Sequence, residues 1–376
     1  MGLNSTATSG IDDFENSGKT KTPLLIGIAN LLVGIVAVVG NFLLCVTIYK
    51  DPYRRLRSTA SYLVVNLAVA DLLTGLITEP LYAAFEISNF IEKKFNILYV
   101  IGESTAYVFV NASILSILSL ALDRYIAVKY PLSHGQKMDR NRIFTIIVLV
   151  WTYSLLFSML RFMGVSQDVF YWLDLHVNYT LFAGILIGLY VCIYFTIKHQ
   201  LAQSLRTQGY NSETRRQPNH NEIETKMKSE KKMTRTVFLL VLVAIACMLP
   251  LYIMLHVELL CESCMEIPAV KTISKLSEPI LFLNSGLNPF LYAWTIPKYR
   301  QALKQTLRVW RHHARSVCGL CAIKTEKQRK MRPGQFKCVF AIHNQGMADG
   351  KTTLSNSKDS NPVQLMEMNA ISNNII

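Results

Sequence analysis

Charge is scarce in this chain. Only 17% of its 376 residues are Asp, Glu, Lys or Arg, against about a quarter in soluble domains. Acids are scarcer than bases, 25 against 39, which leaves a formal net charge of +14. Nothing before the first apolar block reads as a cleavable leader, since Met1–Thr22 is polar and carries Asp12, Asp13 and Glu15. The period-2 alternation of barrel strands is missing, and so is the internal repeat that marks many transporters. These shortages weigh against a soluble enzyme, a β-barrel and an inverted-repeat carrier.

What is present is a set of seven uninterrupted apolar blocks: Leu24–Tyr49, Ala60–Glu86, Ile97–Val128, Ile143–Gly164, Leu175–Ile197, Val237–Leu260 and Ile273–Thr295. Each is long enough for a helix to cross a bilayer, which takes about 20 residues. The expected fold is an all-α membrane protein, a seven-helix bundle. The first helix then serves as its own insertion signal. Basic residues cluster after helices 1, 3, 5 and 7, as in Lys50, Lys129, Lys137, Arg140, Arg215, Lys231, Lys298 and Arg300. The other connections are acidic or neutral, with Asp168, Asp174, Glu258 and Glu266. Basic residues are retained on the cytoplasmic side, so the N-terminus is expected outside. That divides the chain into an outer tail (1–23), a seven-helix domain (24–296), an amphipathic cytoplasmic helix (297–316) and a disordered polar tail (317–376). Split into short patches beside apolar spans, the positive charge suits membrane lipids rather than nucleic acid, which calls for a basic stripe on a soluble domain.

Polar residues inside spans are costly and therefore informative. Here they are Asn41 in helix 1, Asn66 and Asp71 in helix 2, and Asp123-Arg124-Tyr125 at the end of helix 3. Trp151 follows in helix 4, then Asn284-Ser285 and Asn288-Pro289-Phe290-Leu291-Tyr292 in helix 7. A lone Asn or Ser among them is ordinary packing polarity. In this order on seven spans, over residues 24–305, they resemble the rhodopsin-like (class A) G-protein-coupled receptors.

The resemblance implies a receptor in the plasma membrane that carries binding of an extracellular ligand to a heterotrimeric G protein, not an enzyme. It implies that Asp123, Arg124 and Tyr125 form the cytoplasmic switch, with Glu230 as the helix-6 acid. Tyr194, Asn288, Pro289 and Tyr292 would be the rearranging elements. Asp71, Ser113, Asn284 and Ser285 match the family's sodium pocket, although a hydrogen-bonded cluster with Asp71 partly protonated fits the same residues. Arrestin is an implied partner of the tail.

Three departures narrow the branch. Met248 stands two residues before Pro250, where the family has Trp. Tyr99 stands where most members have the helix-3 Cys, and Ser166–Val177 holds no Cys to pair with one. Leu186 occupies the place of the helix-5 proline. Cys261 and Cys264 face the oxidising side, where a local disulfide and two free thiols both fit. This pattern resembles the branch holding melanocortin, lysophospholipid, cannabinoid and adenosine receptors, with the loops and cysteines leaning to melanocortin receptors. A peptide, lipid-like or nucleoside-like ligand acting on cyclic AMP follows from that likeness.

The pocket is expected to hold Glu79, Glu103, Ala106, Met248, Lys275 and Glu278. Glu79 and Glu103 would receive a cationic group; equally, Glu278 pairs with Lys275 and the other acids line wet walls. Ala106 sits where amine receptors carry their anchoring Asp. A lysolipid receptor would want an Arg next to Glu103; Gly102 is there, and Arg161 on helix 4 is the substitute. Calcium, bridged by acids in melanocortin receptors, is poorly supported, since it takes six to eight oxygens. No other metal is expected. After helix 7, Leu303, Leu307 and Trp310 give the inner helix its apolar side. Cys318 and Cys321 behind it are either palmitoylated or reduced thiols, and Asn4 is a glycan acceptor. A transporter would need further acids along a path. An intramembrane enzyme would need a catalytic pair, and Ser113 has no mid-span His.

Overall fold

The computed structural model describes residues 21–52, 56, 58–93, 95–131, 133–210 and 219–312, with side chains left out at 201, 203–232 and 262. Asn4, Cys318 and Cys321 lie outside this set, as does the side chain of Glu230. Seven long helices form the bundle. They are α1 (Thr22–Lys50), α2 (Thr59–Phe90), α3 (Asn96–Lys129), α4 (Arg140–Leu160), α5 (starting at Gln167 and ending with Phe182–Tyr210), α6 (Asn219–Leu260) and α7 (Pro268–Thr295). A shorter helix, α8, covers 297–312. No strand occurs among the described residues.

Helices α1 to α6 contain stretches long and apolar enough to cross a membrane. Helix α7 is the exception because Lys271, Lys275, Glu278, Asn284, Ser285 and Asn288 dilute it. The bundle wears its apolar residues outward as well as inward. On α1, Leu32, Ile35, Val39 and Phe42 are half exposed or more, while Asn30, Gly34 and Asn41 are buried. A bilayer rather than water as the solvent explains this inversion.

Helix α3 lies at the centre, packed against α2, α4, α5 and α6. Small residues let α1 approach α2 closely. A Cβ on Gly75 would stand 2.9 Å from the Gly34 carbonyl oxygen and 2.9 Å from the Ala37 Cβ. Two helices contain wide π-type turns, Thr74–Thr78 in α2 and Asp174–Leu181 in α5. The second precedes Leu186, which is buried in the core, so α5 is widened without a proline. Prolines 250, 279 and 289 lie inside α6 and α7, each removing one backbone donor.

Two connections are tied by specific contacts. Asp139 caps α4 by accepting from the Arg142 amide (3.2 Å). Cys261 and Cys264 are joined in a disulfide with Cα atoms 5.3 Å apart, closing a single turn between α6 and α7. Trp310 of α8 packs on Phe42 of α1.

Gly75→Val puts a branched side chain against a backbone carbonyl that cannot yield. It is expected to cost about 1–3 kcal/mol or more, read as a lower melting temperature of the detergent-purified protein. Gly184→Ala, where a Cβ meets nothing within 4 Å, serves as the silent control.

Candidate functional site

Three polar assemblies run through the bundle. The central one is built on Asp71, fully buried on α2. Its Oδ1 accepts from Ser113 Oγ of α3 (2.8 Å) and Ser285 Oγ of α7 (2.9 Å). Its Oδ2 accepts from Asn288 Nδ2 (2.7 Å). Asn41 Nδ2 of α1 in turn donates to the Ser285 carbonyl (2.9 Å). The carboxylate thereby ties α2, α3 and α7 together, and Asn41 adds α1 through the Ser285 carbonyl. Beside it, Asn66 Nδ2 donates to Ser116 Oγ (2.7 Å), and Trp151 Nε1 donates to Asn66 Oδ1 (2.9 Å), joining α2, α3 and α4. Asn284 is buried nearby on α7, with its side-chain oxygen receiving no donor.

The second assembly lies at the end of α3. Arg124 Nε donates to Asp123 Oδ2 (2.9 Å) and its Nη2 reaches the same oxygen. Asp123 Oδ1 meets His134 Nε2 at 2.9 Å. The histidine belongs to the helical turn His134–Lys137 that follows α3. Asp123 is fully buried and Arg124 nearly so, whereas Tyr125 turns outward to Lys129 (2.8 Å).

On α5 the structure puts Tyr194 on the outer surface, 61% exposed and packed on Phe195. Tyr190, one turn earlier, packs tilted against Phe238 of α6 (ring centroids 5.2 Å) and lies against the buried core, with its hydroxyl buried. Of the two tyrosines, Tyr190 is the one that faces the interior of the bundle, and Tyr194, expected there, faces outward. Without a proline to mark the register, a slip of one full turn leaves the apolar pattern unchanged.

The third assembly is at the opposite end of α3. Glu103 pairs with Arg161, which follows α4. It also accepts from Tyr107 (3.2 Å) and, on α5, Tyr171 (3.3 Å). Ser158 Oγ donates to the Ser104 carbonyl (3.0 Å). Lys275 donates to both oxygens of Glu86 on α2 (3.1 and 3.3 Å) rather than to its neighbour Glu278. Glu79 points away from these groups and into the contact between α1 and α2. Thus, of the expected pocket residues, Glu103 lies in this cluster with Arg161, Lys275 is bound across to α2, and Glu79 faces another helix.

Below this cluster Met248 packs with Ile114, Tyr179, Phe182, Leu281 and Phe282, and Ala106 borders the same group. A cavity of about 280 Å³ opens between α3, α5 and α6 beside them. Its walls carry no charged residue, and its polar groups are the hydroxyls of Tyr179, Thr180 and Tyr252. His134, Tyr190, Glu86 and Tyr171 were not singled out from the sequence. Only His134 offered a signal, as a histidine one short loop beyond the Asp-Arg-Tyr triplet.

A buried carboxylate shared by α2, α3 and α7, an Asp-Arg pair at one end and a cavity toward the other define a seven-helix receptor. The chain matches the seven-transmembrane receptor family (rhodopsin family) over residues 40–292 and belongs to it. Among similar proteins, the adenosine receptor A2a of Canis lupus familiaris is 25% identical, covering 74% of this chain and 71% of its own. The octopamine receptor beta-2R of Chilo suppressalis is 26% identical, covering 77% and 80%. The alpha-1A adrenergic receptor of Oryctolagus cuniculus is 24% identical, covering 78% and 72%. The protein is a G-protein-coupled receptor, a multi-pass protein of the plasma membrane that answers an extracellular ligand and is not an enzyme.

His134 engages one oxygen of Asp123 and thereby orients the other toward Arg124. His134→Phe removes that contact, and ligand-independent G-protein activation is expected to rise on the order of three- to tenfold. Nucleotide exchange in membranes measures it, and His134→Gln, which keeps a donor, should stay nearer the parent.

Proposed function

We propose that the ligand is an amphiphile with a zwitterionic or anionic head and an apolar body, of the lysophospholipid type. The observation that carries this reading is the uncharged cavity between α3, α5 and α6. Its walls suit a hydrocarbon or flat apolar body and would leave an ammonium without a counter-charge. The Glu103–Arg161 pair supports a head-group site, because one carboxylate and one guanidinium together match a phosphate and an amine. Glu103 and Ile114 are separated by about 16 Å along α3, at 1.5 Å per residue, a span that one acyl chain covers.

The melanocortin-like reading depends on Glu79, Glu103 and Glu278 being free to meet a cationic peptide. Glu103 and Arg161 together carry no net charge, which matches a zwitterion rather than the several cations of a peptide, and Glu79 faces α1. An amine reading lacks its anchor, since Ala106 replaces the acid. The nucleoside-like reading remains the second choice, on the hydroxyl groups of Tyr179, Thr180 and Tyr252.

The proposed topology places the N-terminus and the Glu103 end outside, and Arg124, α8 and the tail inside, in keeping with the basic loops. On the inner side Arg124 meets the G protein and modulates cyclic AMP, and the tail meets arrestin. Anionic lipids contact the basic face of α8, Cys318 and Cys321 carry palmitate, and Asn4 carries a glycan. Sodium fits the central site chemically: Asp71 supplies the charge, Ser113 and Ser285 supply hydroxyl oxygens, and the side-chain oxygens of Asn284 and Asn288 are buried without donors.

Cyclic AMP in cells expressing the chain tests this reading, with lysophospholipids, an endocannabinoid, adenosine, octopamine and a melanocortin peptide each applied. A lysophospholipid response lost in Arg124→Ala and weakened at least tenfold in Arg161→Ala is expected. A response to octopamine or the peptide alone would overturn it. Separately, sodium should weaken agonist binding in the parent and have no effect in Asp71→Asn.

A further inference from the structure

Glu79 is fully buried, and neither of its carboxylate oxygens has a hydrogen-bond partner. Asn30 of α1 is in the same condition: fully buried, with both its amide nitrogen and its oxygen unpartnered. Both belong to the contact between α1 and α2. On one buried stripe of α1, Gly27 packs on Ala83 and Ile87, and Gly34 packs on Gly75 and Glu79. Asn30 is buried on the same stripe, one turn from each glycine, between the contact at Ala83 and the contact at Glu79.

A third unmatched group is close by. The π turn at Thr74–Thr78 sends the Glu79 amide to the Thr74 carbonyl, so the Gly75 carbonyl loses its α-helical donor. The next residue, Pro80, has no N–H to offer. The Gly75 oxygen and Glu79 Oε2 both crowd the bare side of Gly34, at 3.0 and 3.1 Å from where its Cβ would stand. The site therefore gathers acceptor oxygens from Glu79, Asn30 and Gly75, with a single donor, the Asn30 amide. In a membrane interior this imbalance is severe, because no water competes for the unmatched atoms.

We propose that Glu79 and Asn30 form a proton-binding site at the α1–α2 contact, in which Glu79 is held as the neutral acid. A proton converts one acceptor of Glu79 into a donor directed at the Asn30 or Gly75 oxygen, while the Asn30 amide donates to the other carboxyl oxygen. The proton comes from water and returns to it, with no other reactant. A metal ion fits less well, because the glycine backbones meet too closely to leave a coordination shell.

Few charges bear on the site. Helix α1 presents no titratable side chain there. Of the charged groups on the neighbouring helices, Glu86 is bound to Lys275, Glu103 to Arg161, and Asp71 to Ser113, Ser285 and Asn288, while Glu278 on α7 carries the same sign as Glu79; among the described residues no cation pairs with Glu79. Tyr82 on α2 turns instead to Tyr99 and Phe282.

Ionising Glu79 would thus place an unpaired charge between two helices, so the bundle should lose stability as pH rises through its titration. Two readouts on the purified full chain in detergent test this. The melting temperature of the parent should fall by on the order of 5 °C from mildly acid to alkaline pH, and that of Glu79→Gln should change much less. The infrared spectrum should show the carbonyl stretch of a protonated carboxylic acid, present in Asp71→Asn and absent in Glu79→Gln. Asn30→Leu, which keeps the acid, should shift that band and so supports the assignment even if Glu79→Gln folds poorly. Identical pH curves for parent and Glu79→Gln, or no band that depends on Glu79, would overturn the proposal. So would a sodium-dependent melting temperature that survives in Asp71→Asn and vanishes in Glu79→Gln.

Discussion

The carboxylate of Asp71 is the constraint around which the bundle is arranged. Removing it from water costs several kcal/mol, and three hydrogen bonds to a charged acceptor return about 1.5–3 kcal/mol each. The two are comparable, so the charge is tolerated only while Ser113, Ser285 and Asn288 all point at it. Those donors come from α3 and α7, and Asn41 ties α1 to the same segment of α7. Any sliding of α7 along α2 or α3 would strip donors from the carboxylate. A charge that holds its neighbours this way is also a natural fulcrum, because rearranging its donors moves whole helices between two discrete packings.

Much of this was legible in the chain. The apolar blocks located the seven helices, and the expected neighbours Asp71, Ser113 and Ser285 do meet. Asp123 and Arg124 are adjacent in sequence and pair in space. What the sequence hid was rotation. Glu79 looked like a pocket acid, but it follows the π turn at Thr74–Thr78, which adds to the turn and swings the next residues toward α1. The same kind of turn in α5 precedes Tyr190 and Tyr194, where one turn separates the inward tyrosine from the outward one. Long-range choices of partner were hidden for another reason: Lys275 is near Glu278 in sequence yet reaches Glu86 on another helix, and no spacing rule predicts that.

Each departure from the family pattern has a physical substitute. Where α5 lacks its proline, a π segment widens the helix and Leu186 fills the core. Where α6 lacks its tryptophan, Met248 occupies an aromatic and aliphatic cluster through a flexible thioether. Where α3 lacks its cysteine, Tyr99 packs against Tyr82 and Phe85, and Glu103, Arg161, Tyr107 and Tyr171 clasp α3 to α4 and α5.

That clasp changes how the molecule can be made. A disulfide between distant segments must be formed by an oxidant, can join wrong partners, and is fixed once closed. Here the only bridge among the described residues closes one turn, Cys261 to Cys264, and constrains little of the chain. The ties between α3, α4 and α5 are an ion pair and hydroxyl bonds, which form and re-form without redox chemistry. Clasping α3 to α4 and α5 therefore needs helix docking alone, and mispairing of thiols is not among the errors of that step.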